Sequence, residues 1–101
     1  MDSDPLGIEA ARRHSREAQA AGNGALAEQL LSQLLETDPQ PADAVNLGAL
    51  LRSQGRLKDA IQHYQHWLAR FPKTLPLRLN AINSAIEAGA CDTALQWIRE
   101  G

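Results

Sequence analysis

The sequence predicts an all-α protein, on three observations. Straight-chain residues and Ala dominate: 17 Ala, 15 Leu and 8 Gln stand against 5 Ile, 3 Thr and 1 Val. The former keep their rotamer freedom in a helix, whereas β-branched residues favour strands. Apolar residues recur at helical spacing, most clearly Leu57, Ala60, Ile61, Tyr64, Trp67, Leu68 and Phe71 at i, i+3, i+4, i+7, i+10, i+11 and i+14. Gly and Pro, finally, divide the chain into six short segments.

Each segment has its own start and stop. Asp4-Pro5 reads as a cap followed by Pro at the first helical position, opening a helix that runs to about Ala21. Gly22-Asn23-Gly24 ends it, because Gly accepts the left-handed conformation of a helix C-terminus. The second helix, Ala25 to about Glu36, carries Leu26, Ala27, Leu30, Leu31, Leu34 and Leu35 at helical spacing and stops at Asp38-Pro39-Gln40-Pro41. Pro41 fits the first turn of a third helix, which runs from about Ala42 to Gln54 and ends at Gly55. The fourth begins at Leu57 and ends at Phe71-Pro72; Asp59, Gln62, His63, His66 and Arg70 form its wet side. Thr74 is placed to cap a fifth helix from about Leu75 to Ala88, ending at Gly89, and the sixth starts near Asp92.

Length and charge bound what such a chain can be. With 101 residues and a net charge of −2, it is one domain without the basic excess of a nucleic-acid binder. Cys91 is the single cysteine, which excludes an internal disulfide and a multi-cysteine metal site. The acidic start lacks the apolar run of a signal peptide, and no stretch has the length of a membrane span, so the expected location is cytoplasmic with no membrane partner.

The punctuation is periodic. Gly22, Gly55 and Gly89 are separated by 33 and then 34 residues, as are Ala27, Ala60 and Ala94, and Gln29, Gln62 and Gln96. Columns sharing one period define a helical repeat. The middle repeat carries Leu47-Gly48-x2-Leu51, Ala60-x3-Tyr64 and Pro72. These residues resemble the tetratricopeptide repeat (TPR) signature W-x2-L-G-x2-Y, A-x3-F, P, with Ala44 in place of the Trp and Leu51 of the Tyr. The flanking repeats keep Ala27-x3-Leu31 and Ala94-x3-Ile98 but lack the Leu-Gly pair. The resemblance implies a right-handed array of three antiparallel helix pairs, an α-solenoid, with repeats at about 8–40, 41–74 and 75–101, the last cut short. Gly48, Ala60 and Ala94 then sit where helices must approach closely. Tyr64, Trp67 and Phe71 fill the gaps between repeats.

No catalytic constellation is present, so the chain reads as non-catalytic, with no cofactor and no metal. His63 and His66 have ligand-like spacing but no third or fourth ligand beside them, and they read as surface residues. Cys91 lacks an adjacent His or cationic cluster. Binding is better supported. Asn46 and Asn80 are 34 apart, at one place in successive first helices, and a carboxamide can both donate to and accept from a peptide backbone. This column resembles the asparagine ladder in the groove of O-GlcNAc transferase. Arg12, Arg16, Arg52 and Asn83 fall on the same face, and guanidinium groups there favour an acidic segment. The arginines could equally be solvated, in pairs such as Arg13–Glu17. Asn46 also matches the carboxylate clamp of chaperone-binding TPR domains. Pro76 and Asn80 replace the later basic residues of that clamp, which argues against a chaperone-tail adaptor.

The expected function is therefore a protein-interaction module that takes an extended, acidic peptide in a concave groove formed by Asn46, Asn80, Asn83, Arg12, Arg16 and Arg52. Two alternatives accompany it. The chain could be the substrate-recruiting arm of a larger enzyme, such as a bacterial glycosyltransferase with an N-terminal TPR array. It could also self-associate into a homo-oligomer, because stopping at Gly101 without a polar capping helix leaves Trp97 and Ile98 partly uncovered.

Overall fold

In the computed structural model, which describes residues 7–100, the chain forms α1 (Ile8–Ala20), α2 (Gly24–Thr37), α3 (Pro41–Ser53), α4 (Leu57–Arg70), α5 (Leu75–Glu87) and α6 (Cys91–Glu100). No strand occurs among the described residues. Successive helices pack as three hairpins, α1–α2, α3–α4 and α5–α6, stacked into a slab of 49 × 27 × 16 Å.

One turn closes all three hairpins. Gly22, Gly55 and Gly89 each have φ of 76°, a conformation that a side chain disfavours. The next residue donates its N–H to the carbonyl five back: Asn23 to Ala18, Arg56 to Leu51 and Ala90 to Ala85. This is the Schellman arrangement, and it explains the glycine column. Pro41 and Pro76 stand in the first turns of α3 and α5, where a missing N–H costs nothing.

The helix ends correct the sequence reading in three places. α1 begins at Ile8, behind Gly7 with φ of 68°, while the Asp4-Pro5 start lies outside the described residues. Gly24 belongs to α2 and not to the stop before it, because the Asn23 side chain accepts from the Leu26 N–H and caps the helix there. Thr74 holds the cap position of α5, but its hydroxyl makes no capping bond.

A continuous core threads the stack, from Leu31, Leu34 and Leu35 through Ala44, Leu51, Ala60 and Tyr64 to Leu77, Ala81, Ala94 and Trp97. Ala60 is fully buried, and a Cβ added at Gly48 would run into the Tyr64 ring. Trp67 and Phe71 stack with centroids 5.9 Å apart, and His66 meets Trp67 edge-on.

The two junctions between hairpins differ. At the second, α5 packs against both α3 and α4. At the first, α3 packs on α2, but no Cα of α1 comes within 8 Å of one in α3. Arg12 spans that wider gap: its Nε and a terminal nitrogen reach the buried Asp43 carboxylate at 3.1 and 2.8 Å, and it also donates to the Asp38 carbonyl at 3.0 Å.

A carboxamide-lined cleft between the first two hairpins

The gap between α1 and α3 opens into a cleft of about 570 Å³, with Gln19, Gly22, Gly24 and Ala25 from the end of α1 and the start of α2 on one side and Asn46, Ala49, Leu50, Ser53 and Gln54 on the other. Asn46, Ala49 and Ser53 lie at i, i+3 and i+7, so α3 turns one stripe toward it. Gln19 comes from the last turn of α1. Gln54 follows α3 and packs on the start of α2 so tightly that a Cβ on Gly24 would stand 2.8 Å from its amide nitrogen. Asn46 is half-buried, and its side chain makes no hydrogen bond within the described residues. The cleft thus offers carboxamides and a hydroxyl over an apolar floor of Ala49 and Leu50, a neutral set of donors and acceptors suited to a peptide backbone.

Shifted by one repeat, the same register is filled. Arg52 stands 33 residues after Gln19 and Glu87 stands 34 after Ser53, and the two form an ion pair at 2.6 Å on the stripe of α5 that begins at Asn80, seven residues before Glu87. That pair bridges α3 and α5 where Gln19 and Ser53 leave the first junction open.

No family model and no curated protein matches this sequence. Its structure does find likeness. A crystal structure of a tetratricopeptide repeat protein from Parabacteroides merdae superposes with a TM-score of 0.81 over 93% of this chain, at 24% sequence identity. The fold is TPR-like. The match takes in 38% of that protein, so this chain spans well under half of its length.

In this TPR-like frame the six residues expected in the groove have different surroundings. Asn46 lines the cleft. Asn80 donates to the Pro76 carbonyl of its own helix at 2.8 Å, which leaves its carbonyl oxygen as an acceptor. Asn83 and Arg16 are exposed, and Arg16 has no ion-pair partner among the described residues. Arg12 is held by Asp43 and Asp38, and Arg52 by Glu87, so neither carries unpaired charge. The Arg13–Glu17 pair does not form.

Trp97 is not uncovered: it is 4% exposed, on the inner face of α6 with Ala94, while Ile98 points outward at 53%. His63 is likewise no surface residue. It is half-buried, and its Nε2 lies 2.7 Å from the Ala44 carbonyl, which assigns the proton to that nitrogen. Burial pushes its pKa below the usual value, and the nearby His66 adds to the shift. Among the described residues no group of three or more His, Cys, Asp or Glu could hold a metal ion, and no helix is long and apolar enough to cross a membrane. Cys91 is exposed.

The sequence reading missed Gln19, Ser53 and Gln54 as cleft residues, and Asp43 and Arg78 as buried ones. Arg78 donates to the Trp97 carbonyl at 2.9 Å and the Pro72 carbonyl at 2.6 Å, tying α6 to the start of α5. The register exchange of Gln19 with Arg52, and of Ser53 with Glu87, was a readable signal for the cleft.

Proposed function

We propose that this chain is a non-catalytic protein-interaction module that binds an extended segment of a partner protein in the α1–α3 cleft. What supports the reading is the half-buried Asn46 carboxamide, without a protein partner, in an open cleft whose counterpart one repeat on is bridged by an ion pair. Asn46 would exchange two hydrogen bonds with the segment's backbone, and Gln19, Ser53 and Gln54 would satisfy its remaining groups. Asn80 and Asn83 would extend the contact along α5. An acidic side chain on the segment would meet Arg16, since Arg12 and Arg52 are already neutralised. A substrate-recruiting arm of a larger enzyme would use the same cleft.

The test is a selection of random peptides on the wild type, on Asn46→Ala, and on Gln19→Arg/Ser53→Glu, which copies the ion pair of the second junction into the first. Peptides enriched by the wild type and lost by both variants would support the cleft, and acidic peptides lost by Arg16→Glu would support the charge preference. Absence of enrichment, or enrichment that survives both cleft variants, would overturn it.

A further inference from the structure

The repeat register shows what the last hairpin leaves open. On α4, Leu57, Ile61 and Tyr64 form the stripe whose counterparts on α6, 34 residues on, are Cys91, Leu95 and Ile98. On α3, Pro41, Val45, Gly48 and Arg52 correspond in the same way to Leu75, Leu79, Ile82 and Ile86 of α5. In the second hairpin this surface is turned to α5, and Tyr64 is fully buried there. In the third, Leu75, Leu79, Ile86, Leu95 and Ile98 are between 49% and 62% exposed. Together they expose roughly 500 Å² along α5 and α6, within the range of the largest apolar patches of monomers, which are often functional.

The opposite end of the stack does not complement it. Ala10, His14 and Glu17 are the register equivalents of the inward-facing Leu77, Ala81 and Ser84, and His14 and Glu17 are exposed. Stacking copies head to tail would press an imidazole and a carboxylate onto Leu and Ile without partners, which is costly. The apolar end, by contrast, complements itself. Asp92 and Arg99 flank the Cys91–Leu95–Ile98 stripe on one side, seven residues apart, and neither has an ion-pair partner among the described residues. Two such helices packed antiparallel about a two-fold axis set Asp92 of each copy opposite Arg99 of the other, twice, along one rim.

We propose that this end is a self-association surface, where a second copy of the chain docks by a two-fold axis with α6 against α6 and the α5 stripes beside them. Two copies bury about 1,000 Å² in all, at the low end of specific interfaces, so the dimer is weak and concentration-dependent. This inference is independent of the cleft between α1 and α3.

Sedimentation equilibrium from micromolar to millimolar protein tests it, with far-UV circular dichroism to confirm that each variant is folded. The wild type is expected to pass from monomer to dimer. Ile98→Asp, at an exposed position, should abolish the dimer. Asp92→Arg and Arg99→Asp should each weaken it by about tenfold or more, because like charges then face each other. The double reversal Asp92→Arg/Arg99→Asp should bring the constant back to within about threefold. That last variant separates the pairing from a helix-dipole role, since both reversed charges oppose the α6 dipole. A strict monomer at the highest concentration, assembly beyond a dimer, or a double reversal as weak as the single ones would overturn the proposal.

Discussion

The two hairpin junctions are built on the same register and end up in opposite states. At the second, Val45 and Leu77 occupy the places that Arg12 and Asp43 hold at the first, and Arg52 with Glu87 occupies those of Gln19 and Ser53. Apolar residues let α5 settle against α3. A guanidinium and a carboxylate, each needing room for its hydrogen bonds, keep α1 at arm's length from α3 and leave the cleft between them. The repeat motif thus sets where helices meet, and a few side chains decide how closely.

The largest effect is expected at the first junction. Arg12→Ala leaves Asp43, 4% exposed, as an uncompensated buried carboxylate, at a cost of about 3–5 kcal/mol. A thermal melt should fall by roughly 15 °C or more for a chain of this size. The double substitution Arg12→Val/Asp43→Leu copies the second junction into the first. It should recover most of that loss while narrowing the cleft and abolishing peptide capture. A double variant as unstable as Arg12→Ala would show that the pair does more than hold two helices apart.

Gly48→Ala comes next. The added Cβ displaces Tyr64, whose hydroxyl faces Ser84 of α5, so the strain reaches the second junction. Overpacking of this kind costs about 1–3 kcal/mol, more than the gain of up to about 1 kcal/mol in helix propensity. A melting temperature equal to or above the wild type would mean that Tyr64 can step aside.

His63, which joins α4 to α3 through the Ala44 carbonyl, gives the second hairpin a pH dependence. Its folded pKa lies below the unfolded value of about 6.5, so below that pH the unfolded chain binds more protons than the folded one. Its contribution to stability is full above about pH 6.5 and is lost progressively as pH falls. His63→Gln keeps a donor for the Ala44 carbonyl, and its melting curve should decline less between pH 7 and pH 5. Parallel curves for the two proteins would remove His63 as the source.

The smallest effect on stability is expected from Arg52→Gln/Glu87→Ser, which gives the second junction the uncharged side chains of the first. The pair is half-exposed, and its loss should cost no more than about 1 kcal/mol. Its use is in binding. Asn80→Ala should weaken peptide capture more in this background than in the wild type. Equal effects in both backgrounds would show that the ion pair does not close the second cleft.

Much of this was legible in the sequence. The six helices, their glycine stops and the close approach at Gly48 follow from local chemistry, because a left-handed turn needs Gly and a crowded crossing needs a missing side chain. Asn46 was readable from its column. The pairing of Arg12 with Asp43, 31 residues away, was not, and neither was the inward turn of Trp97 and His63. Helical spacing places a residue on a face; it does not say which neighbour that face meets, nor whether a long side chain reaches water or a buried carboxylate.

The sequence by itself determined the all-α class, the 33–34-residue period and the positions of the turns, since each rests on the conformational preference of residues near in the chain. The tertiary structure alone decided that one junction stays open and the next is bridged. It also decided that two of the three arginines expected in the groove, Arg12 and Arg52, are already neutralised, and that Ile98 and not Trp97 faces outward. Those outcomes depend on distances between helices that come together only when the stack forms.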